Sequence, residues 1–291
     1  MPSDAKGLSS LLLAVADDEL IIGHRHSEWT GWAPHIEEDI AFSSIAQDEI
    51  GHANLFYKLL SEVDGRTPDE IALGRQRGEY RHAIVCERPN GDWAYTLARH
   101  FLYDSAEQVR LEAFAESSHS PLSDVSEKLL REERYHRFHA EAWLERLANG
   151  PVEGRHQISA ALISAMRDAV GLFEPIEDEE VALADKVMPN TSEELLQKWL
   201  TEVTKRIESA GIVLDLASKD GAELLPTSSG ELPQPLEDTT QPASISYRDG
   251  RWVLDGTLSG FGGRRGAHSE DFTALWDDLT RTYREAPAAT W

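Results

Sequence analysis

The chain has 291 residues, a formal net charge of −24, and only 7 lysines among its 28 basic residues. Such acidity repels nucleic acid and anionic membrane, and the lone Cys86 excludes an internal disulfide, which fits a reducing cytoplasm. Hydrophobic residues make up 41% of the chain, enough for a core, yet no apolar run approaches the ~18 residues that span a bilayer. The acidity reads either as an ordinary solvated face or as a surface suited to a high-salt cytoplasm, where screening mutes self-repulsion.

Residues 3–29 read as a first helix, with Leu8, Leu11, Leu12, Val15 and Ile22 near a 3.6-residue period. The apolar run at 11–15 lacks the basic start and cleavage site of a signal peptide and is taken as part of this helix. Gly31-Trp32-Ala33-Pro34 ends it. A second helix spans 35–63, with Glu37, Glu38 and Asp39 at its start, where the positive helix end favours acids. It stops at Asp64-Gly65. Residues 67–90 are irregular, apart from a short helix from Pro68. Asn90-Gly91-Asp92 opens a third long helix, 93–117, and Ser120-Pro121 a fourth, which ends at Asn149-Gly150-Pro151. Two more helices follow near 155–173 and 192–213. Residues 219–243, with four prolines among Ser, Thr and acids, read as a linker. A hairpin over 245–254 turns at Asp249-Gly250. A glycine-arginine loop over 260–266 precedes a last amphipathic helix, 270–284. These elements predict an all-α fold: a four-helix bundle with extra C-terminal helices and a small hairpin tail. Residues 1–215 would form the bundle. Residues 216–291 would form the linker, hairpin and terminal helix, packed on the bundle or on a partner.

Five Glu-x-x-His sequences occur, more than composition alone predicts. Glu79/His82, Glu116/His119 and Glu153/His156 fall outside long helices or at breaks. Only Glu49/His52 and Glu133/His136 sit deep in helices, where positions i, i+3, i+4 and i+7 share a face. The second helix presents Ile45, Glu49, His52, Phe56 and Leu59; the fourth presents Leu129, Glu133, His136, Ala140 and Trp143. The third presents Leu97, Phe101, Asp104, Gln108 and Leu111, and the first Ile21, His24 and Glu28. Each apolar stripe is thus interrupted by an acid. Unpaired buried carboxylates must protonate or find a cation. Glu28, Glu49, Asp104 and Glu133 with His52 and His136 are balanced by two divalent ions, a set that suits iron, or manganese, better than zinc. Glu107, one turn from Asp104, is an alternative third-helix ligand. Singly, each acid has a plainer reading: Asp104 paired with Arg99 or Arg110, Glu133 with Arg134 or Arg137, Glu28 capping contacts near Trp29. The acidic run Asp17-Asp18-Glu19 reads as solvated. Gly260 to Gly266 lacks a Walker lysine and is no nucleotide loop; its two arginines suit a phosphate, a carboxylate or a contact between subunits.

The stretches Gly23-His24-Arg25-His26-Ser27-Glu28-Trp29, Glu87-Arg88-Pro89-Asn90-Gly91-Asp92-Trp93, Arg134-Tyr135-His136 and Gly262-Gly263-Arg264-Arg265-Gly266-Ala267-His268-Ser269-Glu270 resemble the ferritin-like subunits of bacterial phenylacetyl-CoA epoxidase. That family has a catalytic di-iron subunit and a paralogous partner described as having lost its metal ligands. In length, helix connections and tail the chain is similar to the partner. In the ligand pattern His-Ser-Glu, Gln-Asp-Glu-x-Gly-His, a third-helix acid and Glu-x-x-His, it is similar to the catalytic subunit. The resemblance implies a cytoplasmic subunit of a multicomponent monooxygenase with two Fe (Mn as the alternative). It implies a paralogous ferritin-like subunit, a separate reductase and an aromatic acyl-CoA substrate, with no nucleic acid or membrane. Two other readings stand beside it: a non-catalytic scaffold of the same complex, and a ferritin-like oxidase or iron-handling protein.

Overall fold

Capping chemistry sets the helix ends. In the computed structural model, which describes residues 5–214, 216, 244–256 and 259–287, α1 (Lys6–Ser27) runs into a turn-rich connection before α2 (Ile36–Asp64). α2 starts behind extended His35, carries Glu37, Glu38 and Asp39 in its first turn, and stops at Gly65, whose φ of 81° is a left-handed cap. α3 (Pro68–Leu73) has a complete capping box between Thr67 and Glu70, and α4 (Ile84–Glu87) is a single turn. Asp92 caps α5 (Trp93–Phe114) by accepting from the Tyr95 amide, and the His119 imidazole does the same for α6 (Ser120–Ala148). α7 (Val152–Ala169), α8 (Glu179–Ala184) and α9 (Ser192–Ser209) follow; α9 has a second capping box, Thr191 with Glu194. Strands β1 (Ser244–Arg248) and β2 (Arg251–Asp255) pair antiparallel, with Ile245 opposite Leu254. Asp249 and Gly250, both at positive φ, make their turn. Last comes α10 (Asp271–Glu285).

α1, α2, α5 and α6 form a ferritin-like four-helix bundle. α1 lies along α2 and α5 along α6; α7 covers α5 and α6, and α9 covers α5. The two hairpins meet across a core of Leu12, Ile21, Phe42, Phe56, Phe101 and Leu129, each at most 3% exposed. Gly23 brings the first hairpin close: a Cβ there would meet Ile50 at 2.9 Å and the Glu49 Cβ at 3.0 Å. β2 rests on α9, and α10 on α3 and α4. The expected helices, hairpin and terminal helix are present with ends shifted by a few residues. α4 and α8 fall in stretches where periodicity predicts none. The expected linker at 219–243 lies outside the described residues. No described helix is long and apolar enough to cross a membrane.

Candidate metal centre

The acidic run of α1 is not solvated. Asp17, Asp18 and Glu19 are each fully buried, and each has its own destination. Asp17 accepts from the Tyr57 hydroxyl at 2.5 Å, from Arg75 and from the Arg81 amide. Asp18 pairs with Arg110 and Arg264. Glu19 points between the helices, where its Oε2 lies 3.7 Å from His52 Nδ1 of α2.

Around Glu19 the bundle gathers Glu49 and His52 from α2 and Glu133 and His136 from α6, none more than 2% exposed. His52 Nδ1 lies 3.7 Å from Glu49 Oε2 and 3.3 Å from Glu133 Oε1. His136 Nδ1 lies 3.5 Å from Glu49 Oε1 and 3.1 Å from the same Glu133 oxygen. Glu49 therefore faces one imidazole with each of its oxygens, and Glu133 Oε1 stands between both rings. The donor atoms fall into two overlapping groups, Glu19–Glu49–His52 and Glu49–Glu133–His136, each within 4.8 Å, that share Glu49. The imidazole rings stack with centroids 6.0 Å apart.

The outward nitrogens are held too. His52 Nε2 is 3.2 Å from Glu132 of α6, and His136 Nε2 is 3.3 Å from Asp48 of α2. Each helix thus braces the other's histidine through the acid that precedes its own Glu-x-x-His. A carboxylate on Nε2 fixes the Nε2–H tautomer and turns the Nδ1 lone pair inward. The pattern acid-Glu-x-x-His at 48–52 and 132–136 signals this brace in the sequence, but it passes unremarked when only the outer pair is read.

Glu107 of α5 is the remaining neighbour. Burial first, then the charges of Glu19 and Glu133, raise its carboxyl against the pull of Arg110. Asp104, one turn back, is fully buried and lies 3.1 Å from His100 Nδ1; burial raises it to about 7. The charge on His136 acts in the other direction on Asp104, so both acids stand within electrostatic reach of the centre.

Of the six residues expected to bind metal, the fold brings Glu49, His52, Glu133 and His136 together. Glu28 is a correction. It caps α1 at the start of the connection, has a side chain 42% exposed, and takes bonds from Arg25 and Asn90. The antiparallel register of α1 and α2 is the reason: Gly23 packs against Ala46, Glu49 and Ile50, so Glu28 lies more than a turn nearer the connection, while Glu19, about one turn before Gly23, reaches His52 and Glu49. Asp104 is buried beside His100, and Glu107 is the α5 acid on which the charges of Glu19 and Glu133 act. Of the two loop arginines, Arg264 is 2% exposed and binds the Asp18 carboxylate inside this chain, one of the partners expected for the loop, while Arg265 is exposed.

The chemistry of this donor set fits metal. Both oxygens of Glu19, Glu49 and Glu133, Oε1 of Glu107, and Nδ1 of His52 and His136 are buried without a hydrogen-bond partner. Lone pairs facing lone pairs in a dry interior need cations between them. Protons are one answer: burial works against charge on His52, but Glu19 and Glu49 outweigh it and push the imidazole up to about 11. Two divalent ions answer the same need with oxygen and imidazole ligands at two adjoining positions.

A family model described as phenylacetic acid catabolic protein matches residues 1–224. Among characterised proteins the chain is similar to the C component of 1,2-phenylacetyl-CoA epoxidase from Escherichia coli (strain K12), 29% identical over 204 residues, which cover 70% of this chain and 82% of the relative.

Proposed function

We propose, because this chain belongs to the phenylacetic acid catabolic protein family, that it is a metal-bearing subunit of a di-iron oxygenase complex that epoxidises an aromatic acyl-CoA. The observation that carries this reading is the buried, unpartnered set Glu19, Glu49, His52, Glu133 and His136, with Glu107 beside it. In this reading Glu19 and His52 would hold one metal and His136 the other, with Glu49 and Glu133 supplying the carboxylates that face the two imidazoles. Bound iron would supply the redox chemistry that activates dioxygen. Epoxidation with O2 consumes two electrons and two protons and releases water, which calls for a separate reductase and proton-bearing side chains. Asp104, raised to about 7, is a candidate for holding such a proton close to the centre. The braces from Asp48 and Glu132 keep both imidazoles in the ligating tautomer. The apolar wall of Ile45, Phe56, Leu97 and Leu129 excludes bulk water. The relative is named as one subunit of an epoxidase, which supports further subunits as partners; in this reading they include a paralogous ferritin-like chain and a separate reductase.

The likeness to the partner subunit in length, helix connections and tail supports a second reading, a scaffold whose centre is not needed for turnover. The two are separated by assembling the complex with wild type or with Glu49→Ala and Glu133→Ala chains and measuring epoxide formation from phenylacetyl-CoA. A large loss supports the catalytic reading. Unchanged turnover with the complex intact rejects it in favour of the scaffold.

A further inference from the structure

The C-terminal segment reaches the centre through an unbroken chain of charges. Gly263–Arg265 form a tight turn whose backbone sits directly on the α3–α4 connection: a Cβ on Gly263 would lie 2.1 Å from the His82 carbonyl oxygen. The amides of Gly262 and Arg264 donate to Glu174. From this seat the Arg264 guanidinium enters the interior. It grips Asp18 with two prongs, at 2.9 and 2.7 Å, and also donates to the carbonyls of Ala14, Arg81 and Leu172. Asp18 in turn holds Arg110 Nη1 at 2.5 Å. Arg110 Nη2 donates to Glu107 Oε2. The series Glu107, Arg110, Asp18, Arg264 alternates in sign and is at most 3% exposed throughout.

Two consequences follow for the ligand field. Glu107 Oε2 is committed to Arg110, while Oε1 has no partner. A two-pronged guanidinium grip fixes geometry as well as charge, so the orientation of Glu107 is inherited from Arg110 and Asp18. Asp18 is also the sequence neighbour of Glu19, and anchoring it sets the rotation of α1 that aims Glu19 inward. We propose that the Gly263–Arg265 turn is a positioning element of the metal centre, in which Arg264, acting through Asp18 and Arg110, presents Glu107 to a metal by Oε1 alone. This rests on the dimetal reading above. It assigns a role to an arginine that lies beyond the 1–224 family match.

The test uses the full chain and cobalt(II) as a spectroscopic probe. Wild type, Arg264→Met, Arg264→Lys and Arg110→Met are titrated with cobalt(II), and the ligand-field spectrum is recorded alongside thermal unfolding of the metal-free proteins. Loss of the outer partners should weaken binding about 10–100-fold and change the spectrum in Arg264→Met and Arg110→Met alike. Arg264→Lys, which restores charge without the two-pronged grip, should fall between. A purely structural role would lower the unfolding temperature and leave the spectrum of the loaded protein unchanged. Wild-type affinity and spectrum in folded Arg264→Met overturn the proposal and leave the dimetal reading intact. Should Arg264→Met fail to fold, the Arg264→Lys spectrum decides, and an unchanged one overturns the proposal. A wild-type chain that takes up no cobalt overturns both.

Discussion

Exchanging Glu19 for Gln and, separately, Glu28 for Gln sets the geometry of the fold against the pattern of the sequence. Both are α1-associated acids, and only Glu19 enters the buried group with Glu49 and His52. Two divalent ions would be balanced chiefly by the unpaired carboxylates of Glu19, Glu49 and Glu133, since Glu107 is already paired with Arg110; removing one carboxylate leaves buried positive charge uncompensated. Breaking a buried ion pair from one side costs about 3–5 kcal/mol, or roughly two to three and a half decades in affinity at about 1.4 kcal/mol per decade. Glu28 is 42% exposed and bonded to Arg25, and an exposed pair contributes about 0–1 kcal/mol. Titration with ferrous or manganous ion, followed by calorimetry and by the metal-induced rise in unfolding temperature, reads the difference directly. Glu19→Gln should lose most of that rise and Glu28→Gln none of it. Without metal, Glu19→Gln should be at least as stable as wild type, since it relieves the crowding that burial and Glu49 impose on Glu19. Metal affinity lost in Glu28→Gln and retained in Glu19→Gln would refute the reasoning.

The braces on the histidines give a smaller effect: Asp48→Asn and Glu132→Gln should each weaken metal binding about 10–100-fold, and wild-type affinity in both would remove the brace from the account. Gly263→Ala forces a Cβ to within 2.1 Å of a backbone oxygen and should cost about 1–3 kcal/mol in urea unfolding; an unchanged midpoint would show that the tail is not seated as described. His82 from the α3–α4 connection and His268 from the tail both bond the Glu87 carboxylate, at 2.8 and 2.9 Å, and this contact should loosen in acid. Burial, then His268, pushes His82 down to about 4. Burial of Glu87 is outweighed by hydrogen bonds from His268 and His82, which hold its carboxyl well below the carboxylate range. Both folded values lie below the unfolded ones, so each contribution is lost on acidification in its own window. That of His82, up to about 3 kcal/mol, is present above pH 6.5 and lost as pH falls toward 4. That of Glu87 is present above pH 4.5 and lost below it. His82→Asn should flatten that part of the stability–pH curve, and identical curves for the two proteins would contradict the assignment.

The bundle is legible in the sequence because its information is local. Periodic Leu and Ile mark the helices, and Gly65, Asp92 and the Ser120-Pro121 start mark their ends. Glu49/His52 and Glu133/His136 are legible because helix spacing alone puts them on buried faces. What periodicity does not carry is the register between helices. Glu28 continues the stripe of Ile21 and His24, yet it lies beside the turn, and Glu19 is the α1 acid whose side chain reaches Glu49 and His52. The run Asp17-Asp18-Glu19 has the composition of a solvated face, and the partners that bury it, Tyr57, Arg75, Arg110 and Arg264, are 40 to 246 residues away. Long-range pairs of this kind leave no trace in spacing.

Metal content is the most direct measure of the central claim. The chain, reconstituted anaerobically with ferrous ion and freed of excess, should retain about two irons per chain, as two sites built by four helices require, and Glu133→Ala should lose most of that iron while staying folded. Retention below about a fifth of an iron per wild-type chain would contradict the account.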